Sequence, residues 1–244
     1  MLLSIEMIKK NTKRWTLAQE YERNWWDTRA NDIDFEFYKN YSEELRKYLE
    51  YTLEINKNTT VLECGSGAGG ILTYLKESEN RYAIDPLEKF YSQVPQFTKQ
   101  RDKEVKYFSA KGENLPFKNK LFDLVIMDNV LDHCDNPEEV IKEIKRVIKN
   151  NGILYFKQNT YHLWGKIVRY IMELFLIDRG HPYTFSKRNL SRLILSGKFK
   201  LLKSSRGGYF KTWKKEFFSK RRKDKIKALL LVNRDKVTYL LKNI

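Results

Sequence analysis

The chain has 244 residues, 41% of them hydrophobic and 32% charged, which is enough apolar material for one sizeable core. No run of about 18 uncharged apolar residues occurs, so no transmembrane helix is expected, and two cysteines, Cys64 and Cys134, exclude a disulfide framework or a Cys-x-x-Cys metal site. The net charge of +16 is concentrated: residues 1–160 carry 25 Lys or Arg against 26 Asp or Glu, whereas residues 161–244 carry 22 against 5.

At the N-terminus, MLLSIEMIKKNTKRW interrupts a very short apolar start with charges and does not read as a signal peptide. The reducing cytoplasm is the expected compartment. Residues 1–55 read as a helical cap rich in aromatics, Trp15, Tyr21, Trp25, Trp26, Phe35, Phe37, Tyr38 and Tyr41 among them. The pattern then changes. TTVLEC is a short apolar strand followed by a glycine turn, GILTYLKES reads as a helix, RYAIDP as a second strand and KFYSQVPQF as a broken helix. VKYFSA is a third strand, and LFDLVIMDN, apolar almost throughout, should be a central strand buried on both faces. NPEEVIKEIKRVIKN opens with Asn136 as N-cap and Pro137 at the first helical position, and ILYFKQN is a fifth strand. Strands alternating with helices imply an α/β fold with a mostly parallel, Rossmann-like sheet, whose ligands bind at the carboxyl ends of the strands. Beyond residue 160 come an apolar helix over 163–177, the loop DRGHPYTFS, a helix KRNLSRLIL, a strand FKLLKS, a basic stretch, and KALLLVNR as the last strand. We expect one domain with a cap (1–55), a cofactor-binding core (56–160) and a basic C-terminal part (161–244).

The turn VLECGSGAGGIL poses a choice. Gly65, Gly67 and Gly70 match the G-x-G-x-x-G turn of dinucleotide enzymes; Gly65, Gly67 and Gly69 match the G-x-G-x-G turn that holds S-adenosylmethionine. Asp85, at the end of the second strand, can accept from both ribose hydroxyls of either cofactor. Glu63 separates the two: an acid beside the turn opposes a pyrophosphate but suits a sulfonium and an ammonium.

Taken with ENLPF, FDLVIMDNVLDH and EIKRVIKNNGILYF, the turn and AIDP make residues 59–158 resemble the core of class I S-adenosylmethionine-dependent methyltransferases of the type 11 group. The resemblance implies an enzyme with S-adenosylmethionine as cofactor and a class I sheet whose last strand is antiparallel. It places Glu63, Gly65 and Gly67 at the methionine moiety and Asp85 at the ribose. Pro86, Lys111, Gly112 and Glu113 flank the adenine, and Asp128 and Asn129 face the methionine amine or the acceptor. Lys111 stands where many relatives have an Asp, so Glu113 or backbone would have to serve the adenine amino group.

Methyl transfer from a sulfonium needs positioning above all, with a base only where the nucleophile holds its proton at neutral pH. His133, just past the fourth strand, is the first candidate base and His181 the second; each could equally be a structural histidine. His162 reads as a surface or capping residue, Asp132 as solvated, and the cysteines as buried thiols. Trp25 and Trp26 could pack over the cofactor or simply within the cap. No metal site is expected. The acceptor expected is a small molecule or glycan, methylated at oxygen; DRGHPYTFS resembles a segment of some methyltransferases of surface-polysaccharide pathways. The basic third leaves open an RNA acceptor, a non-catalytic binding protein, an anionic membrane surface and a plainly solvated face.

Overall fold

A computed structural model describes residues 12–244; the segment argued above not to be a signal peptide lies largely outside the described residues. Helix α1 (Thr12–Asp27) and helix α2 (Glu36–Leu49) form the cap. Helix α2 buries Tyr38, Ser42, Leu45 and Leu49, a spacing that puts all four on one helical face. Strand β1 (Thr60–Cys64) leads into the glycine turn, β2 (Asn80–Asp85) follows, and two single-turn helices, α3 (Glu88–Tyr91) and α4 (Pro95–Thr98), precede β3 (Val105–Ser109).

The region read as a helix after the glycine turn is only a 3₁₀ turn, Ile71–Tyr74. Arginines compete for two of its carbonyls: Arg81 Nη1 donates to Leu72 O (2.9 Å), which also accepts from Leu75 N (3.2 Å), and Arg46 Nη2 donates to Tyr74 O (2.6 Å). That competition, invisible to helical periodicity, stops the helix.

Strand β4 (Phe122–Asp128) is the expected centre: Leu124, Val125, Ile126 and Met127 are all fully buried, Leu124 and Ile126 against the cap side and Val125 and Met127 against the other face. Helix α5 (Pro137–Val147) is capped as expected, with Asn136 accepting from the backbone N–H groups of Glu138 and Glu139. Strand β5 (Ile148–Thr160) follows, then α6 (Leu163–Leu174), α7 (Lys187–Ser196), β6 (Phe199–Gly207), α8 (Tyr209–Phe217), α9 (Arg222–Leu229) and β7 (Asp235–Asn243). His162 caps α6 by accepting from Gly165 N, as its reading as a capping residue expects.

The sheet order is β3-β2-β1-β4-β5-β7-β6. The first five strands run parallel, and β7 is antiparallel to both neighbours. The Rossmann-like α/β sheet with an antiparallel last strand therefore stands, but that strand is not KALLLVNR. Residues 222–229 are helical, because their apolar run buries one side only: Ala228 is 1% exposed and Leu229 is 70% exposed. In β7, Val237, Leu240 and Leu241 are fully buried between flanking strands. The basic third thus completes the sheet.

Candidate functional site

The site is built at the carboxyl ends of β1, β2 and β4, where a parallel sheet of this order places ligands. Gly65 and Gly67 carry φ of +76° and +58°, a left-handed backbone that glycine adopts without strain. The amides of Gly65 and Ser66 both donate to Ile84 O (2.9 and 3.1 Å), fastening the turn to β2. A β-carbon on Gly67 would lie 2.9 Å from Tyr38 Oη, and one on Gly69 2.4 Å from the Phe35 ring. The aromatic cap therefore sits directly on the turn, and Tyr38 Oη donates to Ser66 O (3.1 Å).

Glu63 and Asp85 organise this loop. The Glu63 oxygens accept from Ile71 N (3.0 Å) and Leu72 N (3.2 Å). Burial pushes its pKa up to about 8, against the pull of those two amides. Asp85 Oδ2 accepts from Gly67 N (3.0 Å) and Oδ1 from Leu87 N (2.9 Å). Burial raises Asp85 to about 7, opposed by the same amides. Each oxygen keeps acceptor capacity toward a diol.

A cleft of about 1480 Å³ runs from this turn past Pro86, Gly112 and Glu113 to the far wall. Lys111 is not part of its lining; the ammonium lies 3.5 Å from the centre of the Trp15 ring, a cation–π contact that draws it away. Glu113 Oε1 accepts from Asp135 N and Asn136 N (2.8 and 2.9 Å), so the carboxylate fastens the start of α5. Asp128 is half-buried and paired with Lys157 (3.2 Å). Burial raises its pKa, and the Lys157 ammonium works against that. Asn129 Oδ1 accepts from Gln158 Nε2 and Asn159 N (both 3.1 Å), which ties its side chain to β5. Trp26 is 6% exposed and packs in the cap core, and both it and Trp25 contribute to the lining of the cleft. Cys64 and Cys134 are buried free thiols.

The two candidate bases meet. The His133 and His181 rings are 4.6 Å apart, although 47 positions of sequence part them. Asp132, expected to be solvated, is 7% exposed instead: Gln158 Nε2 donates to its Oδ1 (2.8 Å), and it stands 3.9 Å from His133 Nε2 and 4.0 Å from His181 Nε2. His181 is held by a residue the sequence reading missed, Asp178, whose Oδ1 lies 2.8 Å from His181 Nδ1; Arg169 Nη1 donates to the other Asp178 oxygen (2.7 Å). The i, i+3 spacing inside DRGH was the available signal. Burial alone would lower the His181 pKa, but the Asp178 hydrogen bond and the Asp132 charge raise it above its ordinary value. Asp178 is the reverse case: burial would raise it, and the His181 and Arg169 contacts hold it well below the usual range.

Asp132, His133 and His181 also offer one carboxylate and two imidazoles, with ligand atoms within 4.8 Å of one another. Two ligands on one ion at zinc-like bond lengths would stand roughly 3.4 Å apart, closer than the 3.9–4.0 Å separations found.

Residues 62–156 match the sequence model of a methyltransferase domain of the type 11 family. An uncharacterised protein of Methanocaldococcus jannaschii is 30% identical over 135 residues, 55% of each chain. The ubiquinone biosynthesis O-methyltransferase of Rickettsia canadensis is 28% identical over 144 residues, 55% of this chain and 58% of that one. The chain thus spans little more than half the length of these two relatives. Among solved structures, the geranyl diphosphate C-methyltransferase of Streptomyces coelicolor superposes with a TM-score of 0.63 at 11% identity, over 84% of this chain and 76% of that one, and shares the fold.

Proposed function

We propose that this chain, whose residues 62–156 match the methyltransferase-domain model, transfers a methyl group from S-adenosylmethionine to an oxygen of a small-molecule or glycan acceptor. The residues present fit the cofactor. Two left-handed glycines leave backbone without side chains where a ligand must approach closely, and Asp85 adjoins them with acceptor capacity to spare. Gly65, Gly67 and Asp85 would hold it, with Pro86 and Gly112 beside the base and the Glu63 carboxyl behind the turn. When bound, S-adenosylmethionine supplies a methyl group on a sulfonium, an electrophile that needs no further activation.

The observation that carries the reaction at oxygen is the Asp178–His181 pair in the cleft. With Nδ1–H donating to Asp178, Nε2 is the nitrogen left to accept a proton. His181 Nε2 takes the proton of the acceptor hydroxyl, Asp178 stabilises the resulting imidazolium, and His133 and Asp132 flank the same spot. This reverses the order of the two histidines suggested by sequence, because only His181 has a carboxylate within hydrogen-bonding distance orienting it. The relative from Rickettsia canadensis, an O-methyltransferase by name, supports oxygen as the target. The test is turnover with radiolabelled cofactor on a panel of hydroxylated acceptors. His181→Ala should lower kcat by roughly 10²–10⁴ with cofactor affinity unchanged. Full turnover by His181→Ala would remove it as the base, and a matching loss in His133→Ala alone would transfer the role.

A further inference from the structure

The apolar surface of α6 does not pack on the sheet. Its residues Leu163, Ile167, Tyr170, Ile171 and Leu174 fall at i, i+4, i+7, i+8 and i+11, one continuous helical stripe, and are between 39% and 64% exposed. Phe175 (73%) extends it, and Ile177 (65%) is exposed at the rim of the cleft. The opposite side of the same helix, Val168, Arg169 and Met172, lines the cleft. Leu229, the last residue of α9, and Leu230, just after it at the rim of the cleft, are also exposed, and Trp164 Nε1 of α6 donates to Leu230 O (2.9 Å), which fastens the two helices together. Soluble proteins scatter such side chains singly; a contiguous patch marks a surface that meets something.

The surroundings say what it meets. Lys211, Lys214, Lys220, Arg221, Lys225 and Lys227 stand exposed on and beside α8 and α9. A helix with an apolar outer stripe beside clustered cations is the pattern of an element lying in the plane of a membrane interface. A nucleic acid would use the cations but has little use for a stripe of leucine and isoleucine. A second copy would press one basic third, 22 cations against 5 anions, on another. Among the described residues no helix is long and apolar enough to cross a membrane, so the contact is peripheral.

We propose that the face formed by α6, α8 and α9 docks this protein on an anionic lipid bilayer, bringing the mouth of the cleft to the lipid surface. The proposal does not rest on the reaction above. The test is co-sedimentation with vesicles of phosphatidylcholine alone and of phosphatidylcholine with phosphatidylglycerol, at low and moderate salt, with polyuridylate as a parallel ligand. Binding should require phosphatidylglycerol and weaken with salt. The pairs Leu174→Glu with Phe175→Glu, and Lys211→Glu with Lys214→Glu, should each reduce vesicle binding by roughly tenfold or more, while far-UV spectrum and melting temperature match the parent. Vesicle binding untouched by both pairs would overturn the proposal. So would binding of polyuridylate without vesicles, or a dimer in sedimentation velocity that Leu174→Glu with Phe175→Glu dissociates.

Discussion

At the scale of single residues, the reaction proposed above depends on the protonation of His181. A base works only in its neutral form, so turnover should rise with pH through the His181 pKa. The Asp178 hydrogen bond and the Asp132 charge place that pKa above the ordinary 6.5, despite burial. Removing the carboxylate charge with Asp178→Asn should therefore do two things. The acid limb of the pH–rate profile should move to lower pH, and kcat on the plateau should fall by an order of magnitude or more, because the imidazolium loses its partner. A profile that keeps its acid limb in place would mean that His181 does not govern it. The same pair has a stability signature with opposite signs. The lowered Asp178 contributes stability present above the normal carboxylate range and lost as pH falls through its depressed pKa. The raised His181 contributes stability present below its normal pKa and lost as pH rises through its folded one. Sequence named both histidines but could not pair them. The contact depends on the loop 178–185 crossing back over the turn after β4, and no periodicity reports that. Asp132 was misjudged for the same reason: its burial is created by Gln158 of β5 and by that loop.

At the scale of elements, the glycine turn is held from above by the cap. Phe35 is 1% exposed, contacts the space over Gly69 and packs against Tyr38 and Phe97. Phe35→Ala should lower the unfolding free energy by about 3–5 kcal/mol and weaken cofactor binding, measured by chemical denaturation and by calorimetry. A small loss of stability with intact binding would mean that the cap is not what shapes the turn. Elements with strong periodicity were legible: β4, buried on both faces, and α5, with its Asn136 cap and one-sided stripe. Those that failed did so for tertiary reasons. The helix expected after the turn was cut short by Arg46 and Arg81, whose donors come from α2 and β2. The apolar run at 228–232 looked like a strand because a helix with a solvent-facing apolar side and a central strand are equally hydrophobic over five residues. Only the partners of Val237, Leu240 and Leu241 distinguish them. The binding readings for Lys111, Glu113 and Asn129 came from resemblance; Glu113 and Asn129 do line the cleft while also fastening α5 and β5, and Lys111 stacks on Trp15.

At the scale of the whole molecule, one sheet presents a cleft walled by the cap at one end and by the basic third at the other, and the two ends have separate tasks. On the proposed assignment, the turn, Asp85 and Glu63 suit a compact cationic cofactor better than a pyrophosphate. Glu63 at about 8 and Asp85 at about 7 are carboxyls in one loop that an added anion would push higher still and an added cation would relieve. The most direct measurement is calorimetry of the purified protein with S-adenosylhomocysteine, S-adenosylmethionine and NAD. Both sulfur ligands should bind at a single site, and each should raise the melting temperature by mass action. NAD should give no heat and no shift. Saturable binding of NAD with no affinity for either sulfur ligand would contradict the assignment of the cleft.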